Sequence, residues 1–265
     1  RRKMIRIIDF HAHVFPEEIA QKAVNHIGNY YTIKMQGRGL LPDLAQSADK
    51  SGIEHVVIHS TATKAAQVKN INDWVASHTN ERFIGFGTLH PNMTDCEEEI
   101  ERIISLGLRG IKLHPDFQGF KADDPRMDKI YSAIGSRLPV LIHCGDEKLD
   151  NSSPKRIANV LDKFHDLTII AAHLGGHRQW QESLEYLVCK NIYMDTSSAI
   201  RFMDAAFATK LIKKHGTNRI VFGTDYPITY HENELEFFYK LDLSESERED
   251  ILYNNSAKLL GLPLD

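Results

Sequence analysis

Two histidines separated by one residue, His11 and His13 in Asp9-Phe10-His11-Ala12-His13, are the first residues of the chain with the type and spacing to do chemistry. Side chains alternate faces along a β-strand, so a pair at this spacing points one way and can converge on one metal ion. The same spacing also occurs on a wetted strand without any ligand, so the pair needs partners elsewhere. His143, His173 and Asp225 are the candidates. Neutral imidazoles and a carboxylate suit Zn2+ or another divalent transition ion such as Mn2+, with a position left for water. In such a site the pKa of bound water falls toward neutrality and a nucleophile becomes available.

These residues are far apart in the chain, and the elements between them must gather them. Met4 to Phe10 is short and rich in β-branched residues, as expected of a buried strand, and delivers the histidine pair at its C-terminal end. Val14 to Pro42 is an insertion with a helical piece around Glu17 to His26. Its glycines at 28, 37 and 39 suit either a mobile cover or a packed excursion. From there strands and helices alternate. Strands are expected at His55 to His59, Phe83 to Gly87, Arg109 to Pro115, Pro139 to Gly145, Leu167 to His173, Ile192 to Asp195 and Arg219 to Asp225. Helices are expected at about Asp43 to Ser51, Lys64 to Thr79, Asp95 to Leu106, Asp124 to Arg137, Pro154 to Lys163, Gln179 to Lys190 and Met203 to His215. One or two closing helices follow over Ser244 to Leu262. Eight β/α units, with no glycine-rich dinucleotide fingerprint after the first strand, predict an α/β fold: a (β/α)8 TIM barrel forming a single domain over residues 1–265.

In a barrel of this kind the C-terminal strand ends converge on one mouth, where the active site sits. His11, His13, His59, His90, Lys112, His114, His143, His173, Asp195 and Asp225 all fall at such ends. Four strands therefore supply the ligand types. Asp195 reads as structural or as a support for a ligand, because the metal complement is filled without it. His26, His78, His165 and His215 fall in helices or connections and read as surface or capping residues.

The composition is that of an ordinary globular protein: 265 residues, 42% hydrophobic, net charge −4. Acids and bases are interspersed, which excludes a basic stripe for nucleic acid or an anionic membrane and leaves a small molecule as the expected partner. Cys96, Cys144 and Cys189 form no paired framework, which points to a reducing compartment. No apolar run approaches the ~20 residues of a membrane span, and no signal-peptide core is seen, so a cytoplasmic location is expected. Homo-oligomerisation stays open.

Stretches along the whole chain, Asp9-Phe-His-Ala-His13, Gly110-Ile-Lys-Leu-His-Pro115, Val140-Leu-Ile-His-Cys-Gly145, Ala172-His-Leu-Gly-Gly176, Tyr193-Met-Asp-Thr196, Val221-Phe-Gly-Thr-Asp-Tyr-Pro227 and Asn255-Ser-Ala-Lys-Leu-Leu-Gly261, carry a family resemblance. The chain resembles the amidohydrolase superfamily, within it the amidohydrolase-related branch of aminocarboxymuconate-semialdehyde decarboxylase and related decarboxylases, hydratases and hydrolases. The resemblance implies that His11, His13 and Asp225 bind the metal, that His143 is a further ligand, and that His173 stands beside the bound water. Asp225 would also move a proton during the reaction. One ion is expected rather than two, since this branch is usually mononuclear.

Lys112 keeps three readings open. As in binuclear relatives it would be carboxylated and bridge two metals; as a free ammonium it would bind a substrate carboxylate or an oxyanion; or it is a buried lysine paired with an acid. His114 shares its strand face. His177, at a helix start after Gly175-Gly176, is a candidate for substrate contact, as are Arg201, Tyr226 and Asp146. The leading expectation is a hydrolase in which metal-activated water attacks an amide, ester or lactone carbonyl. The alternative is non-oxidative decarboxylation of a small unsaturated or aromatic acid. A barrel without catalysis would have no need to retain a complete ligand set.

Overall fold

A computed structural model describes residues 5–264. Met4, where the first strand is expected to begin, lies outside the described residues. Eight parallel strands follow in order: β1 (Ile8–His13), β2 (His55–His59), β3 (Phe83–Gly85), β4 (Ile111–Leu113), β5 (Val140–Ile142), β6 (Ile169–Ala171), β7 (Tyr193–Asp195) and β8 (Ile220–Val221). They form two ladders, β1-β2-β3 and β4-β5-β6-β7-β8. Single bridges close the ring at both seams. Gly87 pairs with Ile111, where Lys112 N–H donates to the Gly87 carbonyl at 2.7 Å; Ala12 pairs with Tyr226, where Asp225 N–H donates to the His11 carbonyl at 2.9 Å. Glycine is needed at the first seam because a Cβ on Gly110 would lie 2.4 Å from the Phe86 ring. The expected barrel is what forms.

Two cores follow from the strand period. Ile8, Phe10, Val57, Ile84, Phe86, Leu141, Ile170 and Val221 fill the lumen, and Tyr253, Ala257 and Leu260 from the closing helices cover its floor. Ile7, Ala12, Val56, Ile58, Ile111, Leu113, Val140 and Ile142 face outward onto the helices. Alternation then places His59, Lys112, His143 and Asp195 on the lumen side above the apolar layer. β1 breaks the period. Its register with β2 shifts between Asp9 and Ala12, so Phe10 fills the lumen while Ala12 packs outward. Such a bulge re-aims side chains: Asp9 points outward by ordinary alternation between Ile8 and Phe10, and the shift after Phe10 turns His11 to the lumen side beside Lys112. On the outer side Asp9 accepts the Thr224 hydroxyl at 2.6 Å and faces His231 Nε2 at 2.9 Å.

The insertion after β1 is packed. A helix, here α1 (Glu17–Tyr31), runs five residues beyond the expected end and stops at Thr32, whose φ is 55°. Gly28 does not end it. A Cβ there would lie 2.9 Å from the Met35 side chain, so this glycine permits the returning chain to approach the helix. Other helices are trimmed relative to expectation: Trp180–Tyr186 replaces the stretch from Gln179 to Lys190, and Asp128–Ile134 replaces most of that from Asp124 to Arg137. A helix at His231–Phe238, not expected from sequence, follows β8. Among the described residues no helix is long and apolar enough to cross a membrane.

Candidate metal centre

His11 Nε2, His13 Nε2 and Asp225 Oδ1 form a triangle with edges of 3.1 to 3.2 Å at the barrel mouth. Tetrahedral donors about 2.0–2.1 Å from a zinc ion stand roughly 3.3 Å apart, so this triangle has the dimensions of one face of such a shell. The donors also have the right protonation. His11 Nδ1 donates to Asp195 Oδ2 at 2.7 Å, which leaves its Nε2 a lone pair. Burial drives the His13 pKa down to about 4, so its ring is neutral. Burial alone would raise the Asp225 carboxyl, but the charge that His11, His173 and His13 carry when protonated, with the hydrogen bond from His13, outweighs it and holds the group well below the usual carboxylate range.

Two further imidazoles stand beside it, the His173 ring 5.4 Å from that of His11 and the His143 ring 4.8 Å from that of His173. His173 Nδ1 lies 2.8 Å from the Ser197 carbonyl and His143 Nε2 lies 2.8 Å from the Gly145 carbonyl. A carbonyl only accepts, so these nitrogens donate, and the lone pairs sit on His173 Nε2 and His143 Nδ1. Those two atoms face each other at 3.0 Å. Lone pairs so close repel unless a proton or cation lies between them, and burial pushes both imidazole pKa values down, that of His173 to about 3. The donor set fits a divalent cation. Asp195 supports it from behind: besides His11, it accepts the Ser197 hydroxyl at 2.6 Å and the His173 N–H at 3.0 Å. Such carboxylates fix imidazole orientation and raise ligand basicity.

Backbone strain collects here as well. His173 (φ 63°), Ser198 (φ 45°) and Asp225 (φ 59°) are in the left-handed region without being glycine, and all three line the chamber described below. Each costs on the order of 1–3 kcal/mol, so the surrounding fold must enforce these conformations. Ser198 Oγ donates to Asp225 Oδ2 at 2.6 Å, which fixes the carboxylate plane.

Above the donors lies a chamber of about 170 Å³. His13, His143, His173 and Asp225 form its base; Phe15, Ile27, Ile33, Phe117, Pro227 and Ile228 give it apolar walls. Tyr31, His114 and His177 supply further polar groups. No lysine or arginine lines it among the described residues. The other candidates fall as follows. Lys112 is fully buried below, with Nζ 3.4 Å from His11 Nε2, and burial pushes its pKa down to about 8. No carboxylate lies within ion-pair distance of it among the described residues, which removes the reading as a lysine paired with an acid. Arg201 is turned away, its Nη1 4.0 Å from buried Glu234. Tyr226 sends its hydroxyl outward to Asp43 Oδ2 at 2.7 Å, and Asp146 accepts from Tyr30 at 3.0 Å, so neither lines the chamber.

Sequence reasoning missed Tyr31, Ser198 and Asp116. Tyr31 lies inside the insertion, beyond the expected helix end. Asp116 belongs to a short helix, Pro115–Gln118, where Oδ2 sits 3.7 Å from His143 Nε2 and burial raises the carboxyl pKa to about 7. The signal for both was proximity in sequence to candidate residues or to the insertion. His59, at the end of β2, is fully buried, its ring 4.6 Å from that of His13 and both nitrogens unpartnered among the described residues.

A family model described as Amidohydrolase matches residues 8–262. No protein of curated function matches the chain in sequence. Solved structures share the fold. That of 5-carboxyvanillate decarboxylase from Sphingomonas paucimobilis is 17% identical with a TM-score of 0.75, covering 98% of this chain and 100% of that one. Dihydroxybenzoic acid decarboxylase from Polaromonas, with bound manganese and the inhibitor 2-nitroresorcinol, is 18% identical with a TM-score of 0.73, covering 97% of each chain. A probable 2-pyrone-4,6-dicarboxylic acid hydrolase from Acinetobacter baumannii is 19% identical with a TM-score of 0.70, covering 97% of this chain and 100% of that one. At these identities the likeness establishes the fold alone.

Proposed function

The chain belongs to the amidohydrolase family, whose model spans residues 8–262, and from that membership we propose that it is a divalent-metal-dependent decarboxylase of a small monocarboxylic acid built on one flat ring. The chamber carries this reading. Its volume of about 170 Å³ is close to the ~150 Å³ cavity that takes up one benzene ring. Its walls are mainly apolar, with His26, Tyr31, Thr61, Thr63, His114 and His177 as neutral polar groups, and it offers no lysine or arginine to neutralise an anion. One carboxylate can be neutralised at the base; a second would meet hydrogen-bond donors but no cationic side chain of the wall. The hydrolytic reading that leads in the sequence thus gives way to its alternative, which the decarboxylases among the structural relatives also favour.

His11, His13, Asp225 and His143 would hold one ion, zinc or manganese, whose positive charge would neutralise the substrate carboxylate and polarise the bond to the ring. Asp225 is the only carboxylate lining the chamber among the described residues. Loss of CO2 leaves an electron pair on the ring carbon, and that carbon must gain a proton. Asp225 is placed to take the proton from water or a substrate hydroxyl and return it to the ring carbon as the carbon–carboxylate bond breaks. His173, with its lone pair on Nε2, accepts a hydrogen bond from that water or hydroxyl. The apolar walls orient the ring and exclude bulk water.

The test is turnover by manganese-loaded protein in D2O with panels of ring monocarboxylates, lactones and esters. The expected result is CO2 and a product carrying one deuterium at the vacated carbon, with Asp225→Asn folded but inactive. Acid release from a lactone or ester without CO2 would replace decarboxylation by hydrolysis.

A further inference from the structure

The hydrogen bonds around Tyr31 leave one proton without an acceptor. Tyr31 ends α1, and its hydroxyl enters the chamber 3.3 Å from His114 Nε2 and 3.5 Å from His143 Nε2. Both of these nitrogens carry protons. His114 Nδ1 accepts the Phe117 N–H at 3.1 Å, so in the neutral ring the proton sits on Nε2. His143 Nε2 donates to the Gly145 carbonyl, as its 2.8 Å contact requires. The Tyr31 oxygen therefore receives a hydrogen bond from His114 and finds no acceptor for its own proton among the described residues.

The hydroxyl is also held in place. The Tyr31 ring packs 5.7 Å from Phe117 and 5.8 Å from His177, and the preceding Tyr30 ties the helix end to Asp146 Oδ2 at 3.0 Å. The side chain is half-buried and lines the chamber, so a ligand that enters and displaces water there meets this donor. We infer that Tyr31 is a specificity-determining residue that donates a hydrogen bond to an oxygen substituent, other than the reacting carboxylate, on the bound ring. This rests on the ring-acid reading given above. It makes the insertion after β1 the element that selects among ring acids, while the strand ends perform the chemistry.

The test is a binding cycle by isothermal titration calorimetry on manganese-loaded protein, with benzoate and the three monohydroxybenzoates as probes, in wild type, Tyr31→Phe and Tyr30→Phe. The wild type is expected to prefer the best hydroxybenzoate over benzoate by roughly 2- to 10-fold, the range of one net hydrogen bond. In Tyr31→Phe the ratio should fall to near one with benzoate affinity kept. In Tyr30→Phe, which loosens the same helix end without touching the chamber, the ratio should persist. A ratio near one in the wild type, an unchanged ratio in Tyr31→Phe, or an equal collapse in Tyr30→Phe each overturns the assignment while ring-acid binding stands. If no ring acid binds the wild-type protein, both readings fall.

Discussion

The protonation of single imidazoles decides what this site can be. A backbone carbonyl against one ring nitrogen assigns the lone pair to the other, and in His143 and His173 the lone pairs meet at 3.0 Å. Burial lowers the pKa of His13 to about 4 and of His173 to about 3, and that of His143 as well. Two consequences follow at pH 7 and below. Metal uptake finds its donors already deprotonated, so titrations in buffers of different ionisation enthalpy should show less than about half a proton released per ion at pH 7. In the metal-free protein these folded pKa values lie below the unfolded value of about 6.5, so below pH 6.5 the unfolded chain binds more protons. Stability is then full above pH 6.5 and falls as the pH drops toward 4, by roughly 1 kcal/mol per pH unit for each such histidine. A melting temperature that stays flat between pH 7 and 5 would contradict this assignment. The donors themselves were legible in sequence because each ends a β-branched run. Tyr31 was not, since nothing in Gly28-Asn29-Tyr30-Tyr31 shows that the helix continues through its glycine.

At the scale of elements, the site depends on departures from regular geometry. The bulge in β1 lets Phe10 fill the lumen and Ala12 pack outward within one strand, a shift that strict alternation over Asp9 to His13 could not reveal. The loops after β5 and β6 touch through their backbones. Gly145 has φ 92°, and a Cβ there would lie 2.3 Å from the His177 nitrogen. His177 N–H in turn donates to the Cys144 carbonyl at 2.7 Å, so this contact sets the spacing between the strands that carry His143 and His173. Gly145→Ala should cost at least ~1–3 kcal/mol from conformation alone and lower the melting temperature by several degrees. It should also weaken metal binding, because His143 moves with the loop. Calorimetric melting and a metal titration on the same variant check both effects, and a variant with wild-type melting would show that the loops separate freely.

Over the whole molecule, the eight-unit alternation was readable because parallel strands buried on both faces form short β-branched runs, and the spaces between them are helix-length. The ladder is shorter than those runs: β8 pairs over Ile220–Val221, and Phe222 to Asp225 continue toward the mouth outside it. That is why the polar strand ends are free to converge. Chamber size and the missing cationic wall were not readable, since they depend on where the insertion and the loop after β8 come to rest. The proposed chemistry needs one mononuclear centre at the mouth. The direct test is equilibrium dialysis of the protein against Mn2+ and Zn2+ with metal analysis, beside Asp225→Asn and Asp195→Asn. The prediction is one tightly held ion per chain, largely lost in Asp225→Asn and bound ~10- to 100-fold more weakly in Asp195→Asn, which leaves the ligands in place but unsupported. Two ions per chain, or none, would contradict it.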